Sequence, residues 1–400
     1  MDVDFQRKID RIVGTLICRV LSLFYRNQTR ISIPVRADRI LVILLSEMGS
    51  LVLAHPMFQR IKQQFAGASV YVLLFEANRE VVEILDLADP DNILTINNRS
   101  MINFARDCIR VLMRMRRTKF DIAIDCELFA RISSIFAFLS GASIRVGFHP
   151  HTQEGLYRGD FINRPVPYNP YHHISQQFIT LVNAINSSTV PTSKHLVETE
   201  NLRIPRVQFG SEEINRMKNR VYRDFSEISN KDLVLICPAG GELPIRAWPL
   251  HYYCQLSQEL IQKGYAVAVI GLQSDKEMAH KVLSHCRNPR CLDLTGYTKT
   301  LRELMLIFHF ASLLITNDGG PGQFAALTPI PVIVFFGPET PVLYGPLDDK
   351  AVIIQEPLAC SPCLTAYNHR NSPCDGDNVC LKSIAPARAM AKALEILESS

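Results

Sequence analysis

The strongest constraint in this chain is a pattern that occurs twice: short apolar runs, each long enough for one buried strand, alternate with stretches of helical periodicity. This alternation is typical of βαβ units, in which parallel strands form a sheet and helices cover both of its faces. In the first half it predicts strands at 40–45, 70–75, 92–96, 120–126 and 145–148. In the second half it predicts strands at 233–238, 266–271, 291–294, 313–316 and 331–336.

The length of the chain agrees with this repetition. Four hundred residues exceed what one hydrophobic core usually organises, so two domains are expected. We predict two Rossmann-like, doubly wound α/β domains at 37–190 and 231–384, with a linker at 191–230 and a closing helix at 385–400. Two such domains facing each other would enclose a cleft lined by the carboxyl ends of strands.

Residues 1–36 precede the first predicted strand and have the pattern of an amphipathic helix. Ile9, Ile12, Val13 and Leu16 follow the i, i+3, i+4, i+7 rule, and residues 1–38 hold seven basic and four acidic side chains. A basic amphipathic helix can lie in the interface of an anionic membrane. The alternative is a helix packed on the domain body or on a second subunit. Its position ahead of the first strand favours the membrane.

Composition narrows the classes of function. The chain is 47% hydrophobic and 20% charged, with a net charge of +4, as in ordinary globular proteins. It has no interleaved basic and aromatic stripe of the kind that binds nucleic acid. Its apolar runs fall short of the roughly 18–20 residues that a spanning helix needs, and no signal-peptide pattern opens the sequence. We expect a cytoplasmic protein, peripheral on the inner face of the bacterial inner membrane, that does not bind nucleic acid.

The clearest local motif follows the predicted strand at 313–316. Asn317 and Asp318 precede Gly319, Gly320 and Pro321, where a helix is expected to begin. Glycines let the backbone approach a ligand closely, and the free N–H groups of a helix N-terminus suit a pyrophosphate. Asp318 would repel phosphate, so it is better suited to sugar hydroxyls or to orienting the loop. The alternative is an ordinary turn in which Asp318 caps the helix.

A second strand-to-helix loop follows the predicted strand at 233–238. It contains Gly240, Gly241 and Arg246, and then Trp248, the only tryptophan of the chain. A guanidinium can hold a diphosphate through two parallel hydrogen bonds. Trp248 is expected to anchor the following helix in the core.

The ordered set of segments 39–56, 145–148, 240–249, 293–304, 317–321 and 336–341 resembles glycosyltransferase family nine, the ADP-heptose:lipopolysaccharide heptosyltransferases. The resemblance implies a GT-B fold, in which the second domain binds the ADP part of the donor. It implies inverting transfer of a heptose to a lipopolysaccharide-core or related envelope acceptor, with no cofactor required for the chemistry. The donor residues that it implies are Gly240, Arg246, Glu277, Thr295, Gly296, Asp318, Gly319, Gly320 and Gln323.

Within that resemblance the donor residues have separate roles. Arg246 stands where the family usually has a phosphate-binding lysine, and Glu277 matches a carboxylate that binds ribose hydroxyls. Thr295 and Gly296 match a loop beside the base.

Two positions depart from the family pattern. The catalytic base of the family is usually an aspartate directly after Met-Gly, and this chain has Ser50 there. A serine hydroxyl is a poor base at neutral pH, so we propose Glu47 as the substitute, with a helix-cap or structural role as the alternative. Gln323 stands where a histidine is common, which permits either a retained sugar contact or a different donor sugar.

Two further groups of residues call for an interpretation. Arg158 and His172 lie in an irregular segment and could hold the phosphate or carboxylate of an acceptor, although structural roles are the alternative. The spacing of four cysteines near the C-terminus is typical of structural zinc or iron sites, with disulfides or free thiols as the alternative. These are Cys360, Cys363, Cys374 and Cys380.

Three rival functions remain open at this point. One is a relative that uses another nucleotide sugar, and a second is a catalytically degenerate, membrane-associated scaffold. The third is a sugar epimerase of GT-B fold, which would need no acceptor.

Overall fold

The computed structural model describes residues 3–25, 36–45, 47–128, 130–149, 157–197, 202–229, 231–365 and 371–399. The chain divides into two compact units, Met1–Leu202 and Arg203–Ser400. Within the described ranges, no helix is both long enough and apolar enough to cross a membrane.

The first unit holds eight α-helices and six strands among its described residues. The helices are α1 Val3–Ile9, α2 Thr15–Leu23, α3 Met48–Leu53, α4 His55–Gln64, α5 Arg79–Ile84, α6 Met101–Thr118, α7 Arg131–Leu139 and α8 Ile174–Ala184. A π-helical turn, Asp10–Gly14, joins α1 to α2. The strands are β1 Arg39–Ile43, β2 Ser69–Phe75, β3 Ile93–Ile96, β4 Ile122–Asp125, β5 Ile144–Phe148 and β6 Arg164–Val166.

The first sheet is parallel, with the strand order β3-β2-β1-β4-β5-β6. Helices α6 and α7 cover one face, where Val111 and Met115 of α6 pack with Phe136 of α7 against Leu41 and Ile43 of β1. The direction of the chain through the sheet reverses between β1 and β4. The carboxyl ends of these two neighbours therefore form the topological switch point, where ligands bind in open α/β sheets.

The second unit repeats this design. Its helices are α9 Ser211–Asp224, α10 Leu250–Gln262, α11 Lys276–Cys286, α12 Leu301–Phe308, α13 Gly320–Ala325, α14 Pro341–Tyr344, α15 Val379–Lys382 and α16 Pro386–Glu398. Its strands are β7 Leu233–Cys237, β8 Ala266–Gly271, β9 Cys291–Thr295, β10 Leu313–Asn317, β11 Val332–Phe336 and β12 Ala351–Gln355. They form a parallel sheet of order β12-β11-β10-β7-β8-β9, with its switch point between β7 and β10.

The core of the second unit is organised around Trp248, as the sequence predicts. The indole is 1% exposed, stacks on Phe335 at 4.4 Å between centroids, and meets Tyr253 edge-on at 5.0 Å. Its Nε1–H donates to the carbonyl of Ile384 at 2.9 Å. This bond satisfies the one polar atom of the side chain and ties the loop before α10 to the segment before α16.

The predicted strands all form within a few residues of their expected bounds, and two further edge strands appear. β6 has three residues and contains Pro165, which has no N–H to donate and so fits only an edge position. β12 is partly exposed along its length. The range 191–230, expected to be a linker, contains helix α9, of which only Met217 and Val221 are buried. Because most of its residues are polar, the sequence of α9 resembles that of a linker, and the helix was therefore not predicted.

The N-terminal helix packs on the rest of the first unit through residues spaced four apart. The carboxylate of Asp10 accepts the backbone N–H groups of Arg131 and Ile132 at 3.0 and 2.9 Å, at the start of α7. Gly14 brings the backbone close to α7, because a Cβ there would lie 3.0 Å from the Cβ of Arg131. Cys18 is buried, and Ser22 Oγ accepts the Tyr157 hydroxyl at 2.9 Å. One face therefore packs on the domain body, as the alternative interpretation expected.

Candidate active site

The switch point of the second unit brings together the two loops that the sequence singled out. β7 and β10 are parallel neighbours, with Cys237 paired to Thr316. The loop that leads to Arg246 therefore starts beside the loop that holds Asp318 and the glycines. The central strands are buried throughout, as expected for a parallel sheet covered on both faces.

The side chain of Asn317 joins these two loops. Its Oδ1 accepts the backbone N–H of Trp248 at 2.8 Å and the hydroxyl of Tyr253 at 3.0 Å. Its Nδ2 donates to the carbonyls of Pro238 and Ala239 at 2.9 and 3.1 Å. Burial raises the pKa of Tyr253 well above its ordinary value, so its hydroxyl stays a hydrogen donor. One buried amide thus fixes the positions of both loops.

Arg246 and Asp318 lie side by side at this edge of the sheet. Nη1 of Arg246 is 3.5 Å from Oδ2 of Asp318, and both side chains are largely buried. Nε of Arg246 is buried and has no hydrogen-bond partner among the described residues. An unused N–H on a buried guanidinium is costly, so this group is suited to donate a hydrogen bond to an oxygen of a ligand. That arrangement agrees with the predicted phosphate contact.

The glycines of the two loops differ in whether the fold itself requires a glycine at that position. A Cβ on Gly240 would lie 2.8 Å from the carbonyl oxygen of Leu243, so the turn itself requires glycine. A Cβ on Gly319 would have room, because its nearest neighbour, an atom of Pro321, lies at an ordinary van der Waals distance of 3.9 Å. The backbone of Gly319 is extended, so any residue could adopt it. Gly320 starts α13, where a Cβ would lie 3.2 Å from the Phe324 ring.

The remaining predicted donor residues of this unit lie at three different places. Thr295 ends β9 and Gly296 follows it, where Gly296 has a φ of +65° and donates its N–H to the carbonyl of Gly271 at 2.9 Å. Glu277 is exposed in the first turn of α11, and its carboxylate pairs with Lys281 at 2.8 Å. Gln323 is buried, and its Nε2 donates to the carbonyl of Tyr344 at 2.8 Å. This contact favours a structural role for Gln323, and its sugar contact stays a prediction.

In the first unit, Glu47 and Ser50 lie together just after the switch-point strand β1. Ser50 Oγ donates to Oε2 of Glu47 at 2.9 Å. Glu47 is the residue that precedes α3, but its side chain makes no capping hydrogen bond there. The helix-cap interpretation of Glu47 is therefore not supported, whereas its role as a base stays a prediction.

Sequence reasoning missed a second carboxylate at this switch point. Glu127 follows β4, is 8% exposed, and accepts the backbone N–H of Leu45 at 2.7 Å. The amide of Asn78 donates to the carbonyl of Leu45 at 2.7 Å. Together they fix the backbone of Leu45, two residues before Glu47. An acidic residue directly after a buried strand was the available signal.

Arg158 lies in the interior of the first unit. Its guanidinium pairs with the fully buried Asp125 and donates to Ser133 Oγ at 2.9 Å and to the carbonyls of Ala130 and Phe148 at 3.0 and 3.2 Å. Burial raises the pKa of Asp125. These contacts favour a structural role for Arg158 over an acceptor contact.

His172, the other predicted acceptor residue, is partly exposed. Its carbonyl accepts the Nε2–H of Gln177 at 2.8 Å, which orders the turn before α8. The prediction of an acceptor contact through its imidazole stays open.

The four C-terminal cysteines share one neighbourhood. Burial raises the pKa of Cys380, and negative charge on Cys363, Cys360 or Cys374 raises it further. Cys363 lies 3.1 Å from Ser372 Oγ, whereas Cys374 faces Asp375 and Asn378 at 3.7 Å. Across the described residues, which omit 366–370, no three potential ligands are gathered as in a metal site. The geometry is therefore not that of a closed metal centre.

Comparison with known proteins identifies the family. The model of glycosyltransferase family 9 (heptosyltransferase) matches residues 108–372, about two thirds of the chain. The chain belongs to glycosyltransferase family 9. This glycosyltransferase is 24% identical over 327 residues to a lipooligosaccharide heptosyltransferase 2 of Haemophilus ducreyi, covering 79% of this chain and 88% of the relative. It is 23% identical over 371 residues to lipopolysaccharide heptosyltransferase 2 of Salmonella typhimurium, covering 90% and 98%.

Solved structures confirm the fold class of the glycosyltransferase. The Escherichia coli ADP-heptose lps heptosyltransferase II matches with a TM-score of 0.70 at 20% identity, over 90% of this chain and 99% of that one. A family 9 glycosyltransferase from Veillonella parvula matches with a TM-score of 0.69 at 19% identity, over 91% and 98%. The predicted GT-B fold and family membership are therefore confirmed.

Replacing Asn317 with leucine should destabilise the second unit by about 2–4 kcal/mol, because several buried polar groups lose their partner. Urea unfolding followed by tryptophan fluorescence reports on this unit alone, since Trp248 is the only tryptophan. Asn288→Leu is the matched control, because its amide accepts one bond, from Arg290 N–H, at a partly exposed position. The control should lose less than about 1 kcal/mol. Equal losses in both variants would contradict the role assigned to Asn317.

Proposed function

We propose that this glycosyltransferase moves a heptose from ADP-heptose to a lipopolysaccharide-core or related envelope acceptor, with inversion at the anomeric carbon. The observation that carries the proposal is the Arg246–Asp318 pair at the switch point of the second unit. The names of its relatives, which are heptosyltransferases of lipopolysaccharide and lipooligosaccharide, support the choice of substrates.

The donor half of the proposal assigns the diphosphate to Arg246. The unpartnered Nε–H of the guanidinium supplies a buried donor for a phosphate oxygen. The room at Gly319 lets the diphosphate approach the backbone, and Asp318 holds Arg246 in place or accepts sugar hydroxyls. A solved relative, the Escherichia coli heptosyltransferase WaaC, is described as bound to ADP, which supports ADP as the nucleotide.

The chemical half assigns the base to Glu47. In an inverting transfer the acceptor hydroxyl gives its proton to the Glu47 carboxylate while its oxygen attacks the anomeric carbon. The bond from that carbon to the diphosphate oxygen breaks, and ADP leaves with the bonding electrons. Arg246 stabilises the negative charge that develops on the leaving group. The hydrogen bond from Ser50 holds the carboxylate of Glu47 in a defined orientation.

ADP should raise the melting temperature of the protein, because a ligand that binds only the folded state stabilises it by mass action. Arg246→Ala should abolish this shift. Gly319→Ala should leave the melting temperature of the free protein unchanged, since the added methyl group makes only an ordinary van der Waals contact with Pro321 at 3.9 Å, but should reduce the shift.

The measurement is a thermal-shift titration with ADP, UDP, GDP and CMP. Lys263→Ala serves as the control, because it removes an exposed cation of the same unit that has no proposed donor contact and should keep the ADP shift. A rise in melting temperature with UDP or GDP alone would be compatible with the fold but would reject ADP-heptose as the donor. No shift with any nucleotide would favour a catalytically inactive scaffold.

Glu47→Gln should lower the rate of heptose transfer by about 10²–10⁴-fold, the usual contribution of a general base. The ADP-induced thermal shift should stay as in the wild type, because the substitution removes only the base. Ser50→Ala should have a much smaller effect, since the carboxylate remains. Transfer to a purified core acceptor is measured by mass spectrometry. A Glu47→Gln variant with the full rate would assign the base elsewhere, with Glu127 as the next carboxylate to replace.

For the cell, we infer that the N-terminal helix holds the enzyme on the cytoplasmic face of the inner membrane. The face opposite Asp10 and Cys18 supports this proposal, because it is apolar and exposed, with Leu23 83% exposed and Ile12 72% exposed. Lys8 and Arg19 are among the exposed basic side chains that accompany it. Such a combination binds the interface of anionic bilayers.

We further propose that the four cysteines bind a structural metal ion, zinc or iron, when the protein is loaded. Support comes from their shared neighbourhood and from a solved relative, the TibC glycosyltransferase, which is described as iron-containing and matches with a TM-score of 0.50. The thiols would hold the ion and order their loop, and the reaction uses no metal there.

Elemental analysis of the purified protein should find about one metal ion per chain, and Cys360→Ser with Cys374→Ser should lose it. Replacing Cys108 and Cys286 by serine is the control, because these thiols lie elsewhere and should not affect the metal content. Equal metal content in both double variants, or none in the wild type, would reject the site.

A further inference from the structure

Helix α6 has two apolar faces, and only one of them packs on the sheet. Val111 and Met115 are buried against the sheet. Ile102, Ile109 and Met113, spaced seven and four apart, point away from it and are 82%, 59% and 52% exposed. Together with Met101, at the start of the helix, they form what we term the outer stripe of α6. An exposed apolar stripe on a helix that is already packed on a core indicates a partner surface.

The outer stripe is flanked by positive charge. Five arginines and one aspartate lie on α6, and all five arginines are exposed. The aspartate, Asp107, is buried, accepts the backbone N–H of Asn97 at 3.0 Å, and pairs with Arg110 and Arg106 at 3.3 and 3.4 Å. It therefore offsets part of this charge, and Arg114, Arg116 and Arg117 supply the rest of the positive charge beside the stripe. The arginines are Arg106, Arg110, Arg114, Arg116 and Arg117.

The outer stripe belongs to the same helical layer as the N-terminal helix. Helix α7 lies between them: its inner side packs with α6 on the sheet, and Asp10, Gly14 and Cys18 pack against its other side. None of the residues of α7 is exposed, because its two neighbours cover it. The N-terminal helix and α6 therefore form the outer surface of the layer, and each exposes apolar side chains beside basic ones.

We infer that these two helices form one docking surface for a bilayer containing anionic phospholipids, in which α6 inserts its outer stripe. This inference extends the membrane association proposed for the N-terminal helix and rests on it. Charge complementarity decides between possible occupants. Arginines beside an apolar stripe can reach anionic headgroups while the stripe enters the acyl boundary, whereas a second copy of this chain would bring like charges together.

The geometry has a consequence for orientation. A single amphipathic helix can rotate about its axis and leaves the attached domain free to tilt. Two helices fixed on either side of α7 define a plane. The first unit would therefore sit on the bilayer with the layer of α6 and α7 towards the lipid and the opposite face of its sheet away from it.

The test is co-sedimentation of the full-length protein with vesicles of phosphatidylcholine, alone or with about one quarter phosphatidylglycerol. Two double variants and one single variant are compared with the wild type. Ile109→Gln with Met113→Gln changes the outer stripe, and Leu16→Gln with Leu23→Gln changes the N-terminal helix. Leu196→Gln is the control, because Leu196 is 90% exposed in the same unit but lies outside both helices.

We expect the α6 variant to bind anionic vesicles about tenfold or more weakly than the wild type, and the control to bind unchanged. All variants should keep the melting temperature and the ADP shift, because the replaced side chains are exposed. An α6 variant that binds like the wild type, while the N-terminal variant does not, would overturn the role of α6 and leave the proposed N-terminal contact intact.

Three other outcomes would overturn the inference in different ways. A wild type that ignores anionic vesicles would reject the whole membrane proposal, without affecting donor binding or transfer. A wild-type dimer in light scattering that the α6 variant converts to a monomer would assign the outer stripe to self-association. Equal binding to neutral and anionic vesicles would remove the role of the arginines.

Discussion

The buried amide of Asn317 is the interaction on which the switch point of the second unit depends. Strand β10 ends at this residue, and the side chain reaches across the switch point to the loop after β7 and to the base of α10. Arg246 and Asp318 are the neighbours of this network in the chain. The hydrogen bonds of the Asn317 amide fix the backbone on both loops. They therefore set the distance between the side chains of Arg246 and Asp318.

The two units apply one topology to different tasks. In the second unit the switch point presents a guanidinium with an unused N–H, which is suited to an anion. In the first unit it presents carboxylates, Glu47 and Glu127, which are suited to moving a proton or binding hydroxyls. The carboxyl ends of parallel strands lie at the same edge of the sheet. Each unit therefore assembles its cluster of charged side chains from a few residues that follow two neighbouring strands.

Much of this was predictable from the sequence because it depends on local patterns. Buried parallel strands are continuous apolar runs, and the strand-to-helix loops stand out by their glycines. Contacts between distant segments were not predictable in this way. Neither the burial of Arg158 against Asp125 nor the bond from Gln323 to Tyr344 has a local signature. β6 was missed because it has three residues, and α9 because its sequence is polar. β12 is an apolar run of the usual length, and the sequence prediction overlooked it.

The glycines at 240 and 319 carry different information, although both lie in loops at the same edge. The turn cannot close with a side chain at 240, so glycine there reports only on the fold. The backbone at 319 would accept a side chain. We therefore attribute the glycine there to the space that a bound ligand needs. In an engineered variant, 319 is therefore the position at which the size of the proposed donor site can be varied while the scaffold stays as it is.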